Sequence, residues 1–146
     1  MTRTTPLAAI VMALAACGTD NSMPNPWHGT ITVTSGVAAG VTTCASTQTV
    51  TLSSSAVTPQ TVSVPGDGCV MFVNDDGAPH QPASDSHPIH DCLTNLNPAG
   101  TPPGTGPVIS PGGSFTTAPL GAGAAPTTCG WHDHLNPPGT TVGGGY

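Results

Sequence analysis

Residues 60 to 73 read QTVSVPGDGCVMFV, and this stretch decides the fold class. Gln60 to Val64 alternates polar and apolar side chains with the period of two that a half-buried strand requires. Pro65 to Gly68 is turn chemistry. Cys69 to Val73 is then apolar without interruption, as in a strand at the centre of a sheet. A strand, a tight turn and a second strand within 14 residues point to an all-β domain.

Working outward, the same alternation recurs in TITVT (Thr30–Thr34) and QTVTLS (Gln48–Ser53). Downstream, after a long loop and the breaker SPGG, come the segment SFTTAPL (Ser114–Leu120) and then the stretch TTCGWHDHLNPPG (residues 127–139). A weak last segment, GTTV, follows. No helical periodicity of useful length occurs after the N-terminal region, and there is no internal repeat. The chain therefore reads as a small antiparallel β-sandwich or barrel with long loops at one end. Of its 146 residues, 19 are glycine and 17 proline, while only 2 are phenylalanine, so the core must be built from Val, Ile, Leu and Ala. Domains with thin cores often need cross-links or a metal.

The N-terminus, MTRTTPLAAIVMALAACGTDNS, places Arg3 before an apolar run from Pro6 to Ala16. That run is too short to span a bilayer and matches a secretory leader over residues 1–16. Its end, Leu14-Ala15-Ala16-Cys17, resembles the lipobox of bacterial lipoproteins, which implies lipidation at Cys17 and membrane association through that anchor alone. Residues 17–29 read as a flexible tether and 30–146 as the domain. Arg3 is the only lysine or arginine, whereas all 7 acidic residues lie beyond the leader. A mature chain without cations cannot neutralise phosphates, which excludes nucleic acid as a partner. A redox partner would present a basic surface. The expected locale is the cell envelope, facing the periplasm or held in the outer membrane, with the protein a monomer.

Ligand-type side chains concentrate in three segments: His80 in VNDDGAPHQP, His87 and His90 in SDSHPIHDC, and Cys129, His132 and His134 in the near-terminal stretch. Here the chain resembles the cupredoxins, the plastocyanin- and azurin-like copper proteins. It carries the strand pattern V-x-F-x-N (Val70–Asn74) before a histidine loop, and a Pro-Gly turn and strand before C-x-x-H. The resemblance covers residues 58 to 146 and is nearest to bacterial lipoproteins with HPxH and HDHLNP segments. It implies a Greek-key β-sandwich holding one copper ion through His80, Cys129 and His132. The function it implies is one-electron transfer without substrate turnover. Two imidazoles and a thiolate suit both copper oxidation states. The family's axial methionine has no counterpart after His132, so His134, two residues on and on the same side of an extended chain, is the substitute ligand. Asp133 and backbone carbonyls are the candidates to take the second ring N–H of a ligating histidine and fix its tautomer.

Four cysteines remain after Cys17. In an oxidising compartment they could pair as Cys44–Cys69 and Cys92–Cys129. The site would then be all-histidine: His80, His132, His134 and His87 or His90. Copper sequestration or delivery, without a redox role, is the alternative function, and a metal-free, disulfide-stabilised sandwich is a third. His28, beside Trp27, reads as a solvated side chain. No Ser/His/Asp order, phosphate loop or paired carboxylate argues for an enzyme.

Overall fold

The computed structural model describes residues 26–85, 89–96 and 104–136, so Cys17, His87 and the GTTV segment lie outside the described residues. Eight strands make two four-stranded sheets. One sheet has the order β4 (Thr61–Val64), β1 (His28–Val33), β8 (Thr127–Asp133), β6 (Pro82–Ser84). The other has the order β3 (Val57–Thr58), β2 (Ser46–Ser53), β5 (Gly68–Asp75), β7 (Ser114–Thr116). The all-β sandwich expected from the alternation is what the chain forms. The sheets are mixed, however, and not purely antiparallel: β1 runs parallel to β4, and β2 runs parallel to β5. The Pro65–Gly68 turn explains this. It joins β4 to β5 by carrying the chain from one sheet to the other, closed by the Gly68 amide on the Pro65 carbonyl at 2.9 Å. β4 and β5 therefore do not pair with each other and find their neighbours elsewhere in the sequence.

The alternating residues meet between the sheets. Ile31, Val33, Val62, Val64 and Trp131 from one sheet face Val50, Leu52, Val70 and Phe72 from the other, all buried. The edge of Phe72 meets Trp131 with ring centroids 4.9 Å apart, joining the two layers with the largest side chains available. Leu93, just before the 3₁₀ turn Thr94–Leu96, and Leu96, at its end, add to the same cluster from a loop.

The first sheet begins inside the stretch read as a tether, because Trp27 anchors it. The Trp27 indole donates to the Ser53 carbonyl at 2.8 Å, and its ring packs against the core. The SPGG breaker forms the turn its residues dictate. Gly113 N–H bonds to the Ser110 carbonyl, and Gly112 takes φ +73°, a conformation that costs glycine nothing.

Both pairs of cysteines weighed above form disulfides: Cys44 with Cys69, and Cys92 with Cys129. They close loops with sequence separations of 25 and 37 residues. Loop-closure entropy at those lengths corresponds to about 3–4 kcal/mol per bond. We predict that the C44A/C69A double variant loses stability of that order in chemical denaturation and keeps its β-sheet circular dichroism.

Candidate metal centre

β8 distributes the candidate ligands by strand alternation. Successive side chains point to opposite faces of a strand, so Cys129, Trp131 and Asp133 share one face while Gly130 and His132 share the other. Trp131 marks the first face as the one turned to the opposite sheet, since it packs on Phe72. His134, just beyond the strand, continues the His132 side: the two rings lie 6.4 Å apart and within 26° of parallel. The expectation that His134 joins His132 fits this placement.

The third ring is His90. Its centroid is 5.3 Å from that of His132 and 4.9 Å from that of His134. His90, His132 and His134 each present a ring nitrogen, and these atoms all lie within 4.8 Å of one another. His90 and His132 are buried. Four features bring His90 there. The Cys92–Cys129 bond ties its loop to β8. Its Nδ1 donates to the Ser84 carbonyl, at the end of β6, at 2.6 Å. Its backbone takes φ 55°, the left-handed region that a non-glycine residue enters only when its surroundings enforce it. Gly104, at φ +73°, lies so close that a Cβ there would run into the His90 carbonyl and the Ser84 side chain.

The two rings with assigned partners at Nδ1 have defined tautomers. A carbonyl oxygen accepts only, so His90 holds its proton on Nδ1 and a neutral ring carries the lone pair on Nε2. His132 Nδ1 faces Asp85 Oδ1 at 2.7 Å, which fixes the same tautomer by the same reasoning. Three nitrogen donors of this kind suit zinc or copper.

Two expected ligands are placed elsewhere. Cys129 is oxidised to a disulfide with Cys92, so its sulfur is no thiolate, and it lies on the face of β8 opposite His132. His80 is fully buried, just before β6, with both ring nitrogens directed at carboxylates: Nδ1 to Asp133 at 2.8 Å and Nε2 to Asp76 at 2.9 Å. With both nitrogens engaged in this way, His80 cross-links two carboxylates and lies outside the group of converging rings. Asp133 therefore orients His80 instead of a triad ring. Its carboxylate also accepts from the Gln81 and Leu135 amides and the Asn136 side chain. Trp27 packs on His80 at 4.9 Å, and Asn74 holds the loop between by donating to the Ala78 and Ile109 carbonyls. The lock keeps the start of β6 and the end of β8 in register, which indirectly places His132 and His134. His28 is exposed, as expected.

Asp85 and Asp76 were not singled out from the sequence. Asp85 reaches His132 across 47 residues, and no local pattern signals that contact. Asp76, four residues before His80, was within reach of a spacing argument.

The Asp76 carboxyl is held below the usual aspartate range, chiefly by its hydrogen bond with His80 and against an opposing effect of burial. The Gly77 and Ala78 amides and the His80 charge also lower it. A depressed folded-state pKa gives stability that is present above the unfolded value and lost as pH falls through the folded one. We predict that the stability difference between the parent and D76N is largest above about pH 4 and shrinks on further acidification, in denaturant titrations across that range. Compared with known protein-family models, curated proteins and solved structures, the chain matches none.

Proposed function

We propose that this protein is a copper-binding module of the bacterial cell envelope that sequesters or delivers the ion through an all-nitrogen site made by His90, His132 and His134. The observation that carries the proposal is the convergence of three ring nitrogens within 4.8 Å, two of the rings being buried and fixed in tautomer by protein acceptors. Isolated loop histidines do not need such support. Donors supplied from two separate parts of the fold, each held by its own hydrogen bonds, are what a metal site requires. Imidazole donors suit copper and zinc, and at equal availability copper(II) binds the more tightly. The chain beyond Arg3 has aspartates and no lysine or arginine, so its field attracts cations.

The envelope location rests on the leader-like N-terminus and on two disulfides, which persist where the surroundings are oxidising. The cupredoxin resemblance supports copper as the metal. One-electron transfer, the role that resemblance implies, is less well supported. It depends on a thiolate that accommodates both oxidation states, and Cys129 is committed to its disulfide. Three imidazoles favour copper(II) and leave binding and release as the better reading.

Copper(II) titration of the purified, disulfide-intact protein tests this. We expect a single equivalent to bind with weak ligand-field absorption and without an intense band at about 600 nm, the mark of thiolate ligation. Alanine at 90, 132 or 134 should each weaken binding by roughly tenfold or more, while H28A leaves it unchanged. No copper uptake would support a metal-free sandwich, and an intense band would restore the thiolate site.

A further inference from the structure

β8 contains a glycine at position 130, where its neighbours are Thr, Cys, Trp and His. A glycine inside a strand weakens it and usually marks a close approach by another group. Here the approaching group is Asp85. A Cβ on Gly130 would fall on the Asp85 carboxylate oxygen Oδ2, and would sit 3.0 Å from its Cγ. The other carboxylate oxygen, Oδ1, takes the His132 Nδ1 proton at 2.7 Å. The Asp85 amide donates to the Gly130 carbonyl at 2.9 Å, so the backbone of the aspartate is fixed to the same strand. Gly130 and Asp85 together make a seat for one carboxylate behind one ring of the triad.

We infer that Asp85 is a positioning residue that biases the triad toward a doubly charged ion, copper(II) or zinc(II), over copper(I). The inference rests on the metal-binding reading above. The carboxylate engages His132 at Nδ1, which makes Nε2 the lone-pair donor of the neutral ring, and adds a negative charge one imidazole away from the ion. Coulomb energy scales with the charge of the ion, so that anion stabilises a dication about twice as much as a monocation. Its side chain is 52% exposed, so solvent screens part of this effect while the hydrogen bond to the buried ring persists.

Two variants separate the charge from the scaffold. D85N keeps the shape and removes the charge, whereas G130A keeps the charge and displaces the carboxylate into solvent. Copper(II) affinity is measured by competition with nitrilotriacetate. Copper(I) affinity is measured with bicinchoninate, using ascorbate as reductant so that the disulfides stay intact. For both variants we expect copper(II) affinity to fall by about 10–100-fold and copper(I) affinity by only about the square root of that, roughly 3–10-fold. The ratio of the two affinities therefore moves, which a general loosening of the site would not produce. In the metal-free protein, long-range nitrogen–proton NMR should show the Nδ1–H tautomer of His132 in the parent and a mixture in both variants, with His90 unchanged. A ratio unchanged in both variants, with copper still bound, overturns the role of Asp85 and leaves the proposed function standing. Absence of copper uptake by the parent overturns both.

Discussion

The bond between Cys92 and Cys129 is the constraint on which the rest of the site depends. It consumes the sulfur that a type 1 copper centre would use, and it pulls the loop bearing His90 onto the strand bearing His132. His90 lies two residues before one half-cystine, and His132 lies three after the other. One covalent link thus exchanges a thiolate for an imidazole in the candidate donor set. For the proposed copper ion, this replaces a donor set that suits both oxidation states with one that favours the dication.

Strand alternation makes the exchange consistent. On β8 the inward face carries Cys129, Trp131 and Asp133, all buried, and these serve the frame as half-cystine, core aromatic and anchor for His80. The other face carries Gly130 and His132, continued by His134, and these form the candidate metal site. His80 and His132 are both deeply buried, and each ring meets a carboxylate. His80 meets two and becomes part of the scaffold. His132 meets Asp85 and offers a ring nitrogen to the triad. A buried imidazole facing two carboxylates is well satisfied where it is, and binding a metal there would mean giving up one of those bonds.

Much of this architecture was legible from residue pattern. Of the eight strands among the described residues, β1, β2, β4 and β5 follow from alternation or from an unbroken apolar run, and β7 and β8 fall on the two downstream segments. β3 has two residues, too few for any period, and β6 has three and opens with Pro82, acceptable only because it is an edge strand. The parallel pairings of β1 with β4 and of β2 with β5 arise because the Pro65–Gly68 turn changes sheets, which a local pattern does not encode. At the site, the partnership of His132 with His134 follows from the period of two. The same rule places Cys129 and His132 on opposite faces, an argument against joint ligation already contained in the sequence once β8 is read as a regular strand. His90 was one of two candidates in HPIH, because its arrival depends on cysteine connectivity, which spacing does not determine. Asp85 gives no sequence signal, since its contact with His132 is made only when the sheet forms.

X-ray absorption at the copper edge of the loaded, disulfide-intact protein tests the central claim most directly, because it reports which atoms touch the ion. An all-imidazole site predicts nitrogen or oxygen neighbours alone at about 2.0 Å, together with the outer-shell scattering of histidine rings. A sulfur neighbour at about 2.1–2.3 Å would show that the donor set is not all-imidazole, and would contradict the account.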